Sequence, residues 1–461
     1  MFVNTKIDWI RPAALALALV LMTGCALPAA SGSAEAPGDS ASETVWGVSE
    51  SLTPAVSELP VTQFPAPDSI SPSAVESLPT EESAAEPEIP SESSSAMEPE
   101  TAQVPVDSDT EERIAEILSN MAPEEKAAQL FVVTPEALTG FAGTVTAAGD
   151  LTREAFDEIP VGGIVYMGDN LENSDQTREM LSGMQEISLD RIGIPAFLCV
   201  DEEGGTVARI SGASGFDIPD FPDMCDIGAS GDTSRAQEIG EEMGSYLSDL
   251  GFNVDFAPVA DVYSNEENAV VEYRAFSSDP QVVASMAAAF SEGLSSSGVL
   301  YSYKHFPGHG NTAADSHAGF AESDADLATL RERELVPFRD GIERGVPMIM
   351  VGHISLPNVT QDDLPASLSG EIITGLLREE LGYDGIVITD AMNMGAIADN
   401  YSSGEAALLA LEAGADLLLM PSSFSSAYEA VVGAIRDGTI SQERVDESLT
   451  RILRAKLRLS E

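Results

Sequence analysis

From about residue 109 onward, short uninterrupted apolar runs alternate with stretches of helical periodicity. Eight runs read as buried strands, at residues 129–133, 163–167, 196–200, 253–257, 299–303, 348–351, 385–389 and 415–420. Apolar runs without polar alternation suit strands covered on both faces, as in a parallel sheet. The intervening segments, for example 234–250, 281–296 and 325–344, repeat apolar positions at helical spacing. A first helix is expected from Asp109, with acidic residues in its opening turn and Ile114, Ile117, Leu118 and Met121 on one face. Eight strands separated by helices predict an α/β fold, a single (β/α)8 TIM-type barrel over residues 109–461; a doubly wound open sheet fits the same alternation. The last helix, 442–459, reaches the end of the sequence, so no domain is expected after the barrel.

Upstream the pattern vanishes. Residues 26–107 are mostly Ser, Pro, Glu and Ala, and no Lys or Arg occurs between Arg11 and Arg113. Such a segment buries too little apolar surface to offset its ordering entropy, and its like charges extend it. Residues 25–108 are therefore expected to form a disordered tether. Residues 1–24 read as an export signal, with Lys6 and Arg11 ahead of an apolar run at 13–22. About ten apolar residues are too few to cross a bilayer, which takes roughly 20. Met22-Thr23-Gly24-Cys25 resembles a bacterial lipobox, which implies that Cys25 becomes the lipidated first residue. An ordinary signal peptide cut near residues 26–30 is the alternative. The expected location is the outer face of the cytoplasmic membrane, held by a lipid anchor.

The charge narrows the partners. The 461 residues include 77 acidic and 22 basic side chains, a formal net charge of −55, which argues against nucleic acid. Three cysteines are too few for a disulfide scaffold. Cys199 and Cys225 could pair outside the cell, but Cys199 falls within a strand and reads as a small buried apolar residue. A monomer is expected.

The chemistry concentrates in Lys304-His305-Phe306-Pro307-Gly308-His309-Gly310, continued by Asp315-Ser316-His317, which holds three of the chain's four histidines. Histidine gives and takes protons near neutral pH, and Asp315 is placed to orient the His317 ring. Other ionisable residues appear where apolar runs stop: Asp201-Glu202-Glu203 after the third, His353 after the sixth, Asp390 after the seventh. Barrel enzymes build their sites at these strand ends, although a solvated rim is polar too. Asp390 suits a nucleophile attacking an anomeric carbon, and equally a helix cap. His305, His309, His317 and Asp315 could surround zinc, but they lie on a Pro-Gly loop rather than a helix that would align them; no metal is expected.

The histidine-rich stretch resembles the signature of glycoside hydrolase family 3 β-N-acetylglucosaminidases. The resemblance implies an exo-acting retaining enzyme that removes terminal β-linked N-acetylglucosamine from cell-wall or related glycans without a cofactor. It implies Asp390, within Thr389-Asp390-Ala391-Met392, as nucleophile, with His317 and Asp315 as an acid/base pair. Asp201, Arg209, Arg274, Lys304 and His305 match its sugar-binding residues. Two positions depart from the pattern: Thr206 replaces an arginine after Gly204-Gly205, and Ala275 replaces a serine after Arg274. A β-glucosidase or a phosphorylase of the same family, and a non-catalytic glycan-binding lipoprotein, stay open. Glu202 and Glu203 are the carboxylates to consider should the histidine pair not supply the acid.

Overall fold

A computed structural model describes residues 108–312, 321–362 and 364–459. The expected signal peptide, tether and Cys25 lie outside these residues, as do Asp315 and His317.

Eight parallel strands form one sheet: β1 (Phe131–Val133), β2 (Gly163–Val165), β3 (Phe197–Val200), β4 (Val254–Asp255), β5 (Leu300–Phe306), β6 (Met348–Val351), β7 (Ile386–Thr389) and β8 (Leu418–Leu419). The order is β8-β1-β2-β3-β4-β5-β6-β7, with pairs such as Phe131↔Leu418, Cys199↔Val254 and Val351↔Thr389. A parallel bridge between Ile388 and Leu417 joins the two ends. The sheet is thus a closed barrel of the TIM type, and the open doubly wound alternative is excluded. The eight strands fall at the eight apolar runs, each shorter than or matching its run except β5, which continues through Lys304, His305 and Phe306.

The helices lie where the periodicity put them, with one correction. The 325–344 segment is two helices, Leu327–Glu332 and Leu335–Glu343, broken at Arg333 (φ −131°, ψ −76°). Pro337 explains the break: its nitrogen cannot donate to the Arg333 carbonyl, and its ring excludes a continuous helix there. The helices Thr233–Leu250 and Pro280–Ser295 are capped by Asp232 and Asp279, whose carboxylates accept from Ser234 N–H and Gln281 N–H. They approach almost backbone to backbone. A Cβ on Gly240 would come 2.1 Å from the Phe290 carbonyl oxygen, and one on Gly293 would come 2.2 Å from that of Gln237. The second of them packs on β5, which carries Lys304 and His305. One continuous apolar cluster fills the space between barrel and helices, with Phe131, Phe197, Phe256 and Phe306 fully buried. The opening helix, Ser108–Asn120, joins a separate small cluster in which Ile114 meets Ile194, Leu453 and Leu457.

Candidate active site

The site is built at the C-terminal ends of the strands. Past β3, Asp201 accepts a hydrogen bond from Lys304 Nζ at 2.8 Å, and Lys304 Nζ lies 2.6 Å from Glu203 Oε1. Glu203 also receives a two-pronged contact from Arg274, Nε to Oε2 and Nη2 to Oε1, both 2.7 Å. Two cations and two carboxylates therefore balance in a nearly dry cluster, with Lys304 and Glu203 buried and the Asp201 side chain a quarter exposed. Burial works against the charges of Glu203, Lys304 and Arg274, but the partners outweigh it. Glu203 is held well below the usual carboxylate range by Arg274 and Lys304, and Lys304 is raised by Asp201 and Glu203. Asp201 alone of the four keeps substantial exposure, which suits a group meant for a ligand.

His305 joins this cluster through Arg274, whose Nη2 is 3.5 Å from Nε2 of the imidazole. Its other nitrogen, Nδ1, is 2.7 Å from Asp261 Oδ2. Asp261 Oδ1 also accepts the backbone N–H groups of His305 and His309, at 3.1 and 2.6 Å. The Lys304–His305 and Phe306–Pro307 peptide bonds are cis. Gly310 lies so close to the β4 loop that a Cβ there would meet the Val262 carbonyl oxygen at 1.8 Å. That approach lets Ser264 N–H and Asn265 N–H reach the Gly310 carbonyl.

Asp390 follows β7 at the barrel mouth, partly accessible, with its Oδ1 accepting Ala391 N–H at 2.7 Å. Desolvation alone would raise its pKa. His305, His353, the Ala391 N–H and Lys304 together outweigh that and hold it below the ordinary value, so the carboxylate is ionised. His353 braces the same turn: Nε2 pairs with the Ala391 carbonyl at 3.0 Å and Nδ1 with the Ser367 hydroxyl at 2.7 Å.

Asp201, Arg274, Lys304, His305 and Asp390 thus gather at one end of the barrel; the strand ends pointed there for all but Arg274, which came from the resemblance. Arg209 stands apart from the ion-pair cluster. Its stem lies against Gly168, just past β2, and its guanidinium makes no hydrogen bond or ion pair among the described residues. Its backbone is fixed by Glu202, whose carboxylate accepts the N–H groups of Arg209, Ile210 and Ser211 and the Tyr246 hydroxyl. Glu202 and Glu203 are therefore both committed to internal partners. Thr206 staples the loop instead of reaching outward, its N–H and hydroxyl both bonded to Asp223 Oδ1. Ala275 is buried, and Cys199 and Cys225 are both free thiols. Among the described residues no group of three or more His, Cys, Asp or Glu is arranged to hold a metal ion.

Two residues escaped the sequence reading. Asp261, which orients His305, follows Ala257-Pro258-Val259-Ala260 at the end of the fourth strand, where the strand-end rule would have found it. Asn268 lies mid-loop and carries no local signal.

The sequence has a match among known families: the "Glycosyl hydrolase family 3 N terminal domain" fits residues 123–455. The chain belongs to glycosyl hydrolase family 3. The resemblance read from the histidine-rich stretch is borne out at that level. Within the family, the chain is 33% identical over 331 residues to β-hexosaminidase A of Pseudoalteromonas piscicida, covering 66% of this chain and 55% of that one. It is 32% identical over 345 residues to β-hexosaminidase LpqI of Mycobacterium tuberculosis, covering 73% and 83%. The structure of a glycoside hydrolase family 3 β-N-acetylglucosaminidase from a Paenibacillus species superposes with a TM-score of 0.68 at 36% identity, over 74% of this chain and 63% of that one. The chain therefore spans little more than half of the Pseudoalteromonas relative and under two thirds of the Paenibacillus protein.

Proposed function

We propose that the protein is an exo-acting retaining β-N-acetylglucosaminidase that hydrolyses terminal, non-reducing, β-linked N-acetylglucosamine. The observation that carries this reading is Asp390: an ionised, partly accessible carboxylate at a strand end, beside the Lys304–Asp201 and Arg274–Glu203 pairs. The names of its family 3 relatives support the choice of sugar.

In the proposed reaction the sugar ring is held by Asp201, Lys304, His305 and Arg274, with Arg209 at the rim. Asp390 attacks the anomeric carbon as the bond to the leaving oxygen breaks, giving a covalent glycosyl-enzyme. His317, paired with Asp315, donates a proton to that oxygen. The same imidazole then takes a proton from water, whose oxygen displaces Asp390 with net retention. Cell-wall glycans are the substrates that best fit a protein held at the cell surface.

The test is trapping with a slow fluorinated β-glycoside of N-acetylglucosamine, followed by peptide mass spectrometry. The expected label is on the peptide containing Asp390, and Asp390→Ala should fold yet lose hydrolysis. Label on another carboxylate would overturn the assignment.

The export signal and lipobox-like Cys25 support a location on the outer face of the membrane, through a lipid anchor. Detergent partitioning of Cys25→Ser checks this. The variant should leave the detergent phase or remain unprocessed, and an unchanged partition would count against lipidation.

A further inference from the structure

Asn268 is 2% exposed and spends its whole amide on two different parts of the site. Its Oδ1 accepts the N–H groups of Val270 and Val271, at 2.9 and 3.2 Å. The carbonyls of those two residues hold Arg274: Val271 accepts the Arg274 N–H at 3.1 Å, and Val270 accepts Nη1 of the guanidinium at 3.3 Å. On its other side, Nδ2 donates to the His309 carbonyl at 2.8 Å and to Thr312 Oγ1 at 3.2 Å. Thr312 Oγ1 in turn contacts His309 Nδ1 and the His309 carbonyl, both at 3.0 Å. The His309 N–H is held by Asp261, and the His309 ring meets the His305 ring edge-on at 5.7 Å.

One buried amide therefore ties the turn presenting Arg274 to the turn presenting His309. The two halves use opposite ends of the group: the oxygen serves Arg274, the nitrogen serves His309 and Thr312. All four hydrogen-bonding capacities of the amide are met, which no other side chain of similar size does with the same polarity. A carboxylate would keep the first half and lose the second. A leucine or alanine would lose both and leave buried donors unpaired, at a cost of about 1–3 kcal/mol for each such group.

We propose that Asn268 is a positioning residue that locks the Arg274 turn to the His309–Thr312 turn, so that sugar binding and turnover are held in one geometry. This rests on the glycosidase reading above. The Arg274 side is read by ground-state binding of N-acetylglucosamine. The His309 side is read by turnover, because that turn packs on His305 next to the nucleophile and leads in sequence to Asp315 and His317.

The experiment measures both quantities, by calorimetric titration with N-acetylglucosamine and by kcat on an aryl β-N-acetylglucosaminide. In Asn268→Asp, binding should stay within about threefold of the parent while kcat falls by about 10–10²-fold, the scale of a misplaced catalytic group. Asn268→Ala should lose both. Thr312→Val removes the hydroxyl acceptor without adding a charge, and should repeat the split in milder form even if Asn268→Asp fails to fold. Equal losses in binding and turnover for Asn268→Asp and Thr312→Val would make the amide a general structural bond and overturn the proposal, as would no loss in either. A parent protein that binds the sugar but turns over no β-N-acetylglucosaminide would instead overturn the glycosidase reading.

Discussion

Asp261 serves three donors with one carboxylate, and this fixes the orientation of the His305 ring. Burial would raise the Asp261 pKa, but His305 and His309 outweigh it and hold the group below its ordinary value. An ionised carboxylate only accepts, so the proton facing it must sit on His305 Nδ1. Nε2 faces the Arg274 guanidinium, a group that can only donate. Asp261→Asn would place an amide N–H₂ against one of these donors or force the other tautomer of His305. Leaving a buried donor unpaired costs about 1–3 kcal/mol, so kcat/KM should fall roughly 5–150-fold. A double-mutant cycle with His305→Gln checks the coupling; additive losses would mean that Asp261 does not act through His305. Asp201, Lys304, His305 and Asp390 were legible in the sequence because each stands where an apolar run stops, whereas Arg209 and Arg274 came from the family resemblance. The strand-end rule could have located Asp261 but not its role, and Asn268 carries no local signal; both roles exist only once segments about forty residues apart, β4's loop and the His309 turn, are brought together.

At the scale of elements, the eight strands were legible because parallel strands buried on both faces leave unbroken apolar runs. Their lengths were not. Regular strand geometry covers only Val254–Asp255 of the fourth run and Leu418–Leu419 of the eighth, although interstrand hydrogen bonds continue beyond them, such as Phe256 N–H to the Val200 carbonyl and Met420 N–H to that of Val132. The loop after β3 shows a second limit. Its sequence reads as acidic and exposed, yet Glu202 is fully buried and gathers three backbone N–H groups and the Tyr246 hydroxyl around itself. The Glu202 N–H is itself held by Asp255 Oδ1 at 2.9 Å. The register pairs Val200 with Asp255, and alternation puts Glu202 on that same face of the sheet, toward the helix bearing Tyr246. Asp201, one residue earlier, therefore projects from the opposite face, toward Lys304. Strand periodicity sorts this acidic run into one carboxylate facing Lys304 and one loop clamp, with Glu203 paired to Arg274 and Lys304. Composition sees only three acids.

At the scale of the whole molecule, the last helix returns to the start of the barrel and brings a lysine into the interior. Lys456, in Gln442–Arg458, is fully buried. Its Nζ donates to Gln129 Oε1 at 2.8 Å and lies 5.0 Å from the centre of the Phe197 ring. Gln129, just ahead of β1, also donates to the Pro160 and Val161 carbonyls, so one side-chain relay joins the first, second and last parts of the barrel. Burial lowers the Lys456 pKa to about 7, with Cys199 acting the other way. An unfolded lysine titrates near 10.4. Between those values the unfolded chain binds the proton and the folded chain does not, so stability contributed by this group rises as pH rises through that window. Below about pH 7 the full penalty for charging it inside the fold is present. Lys456→Met removes the titration but leaves Gln129 Oε1 without its donor, a pH-independent loss of about 1–3 kcal/mol. The variant should therefore melt above the parent near pH 6 and lose that advantage, or fall below it, near pH 9.5. Thermal midpoints at the two pH values check this: a gap of the same size and sign at both would show that Lys456 does not change its protonation on folding.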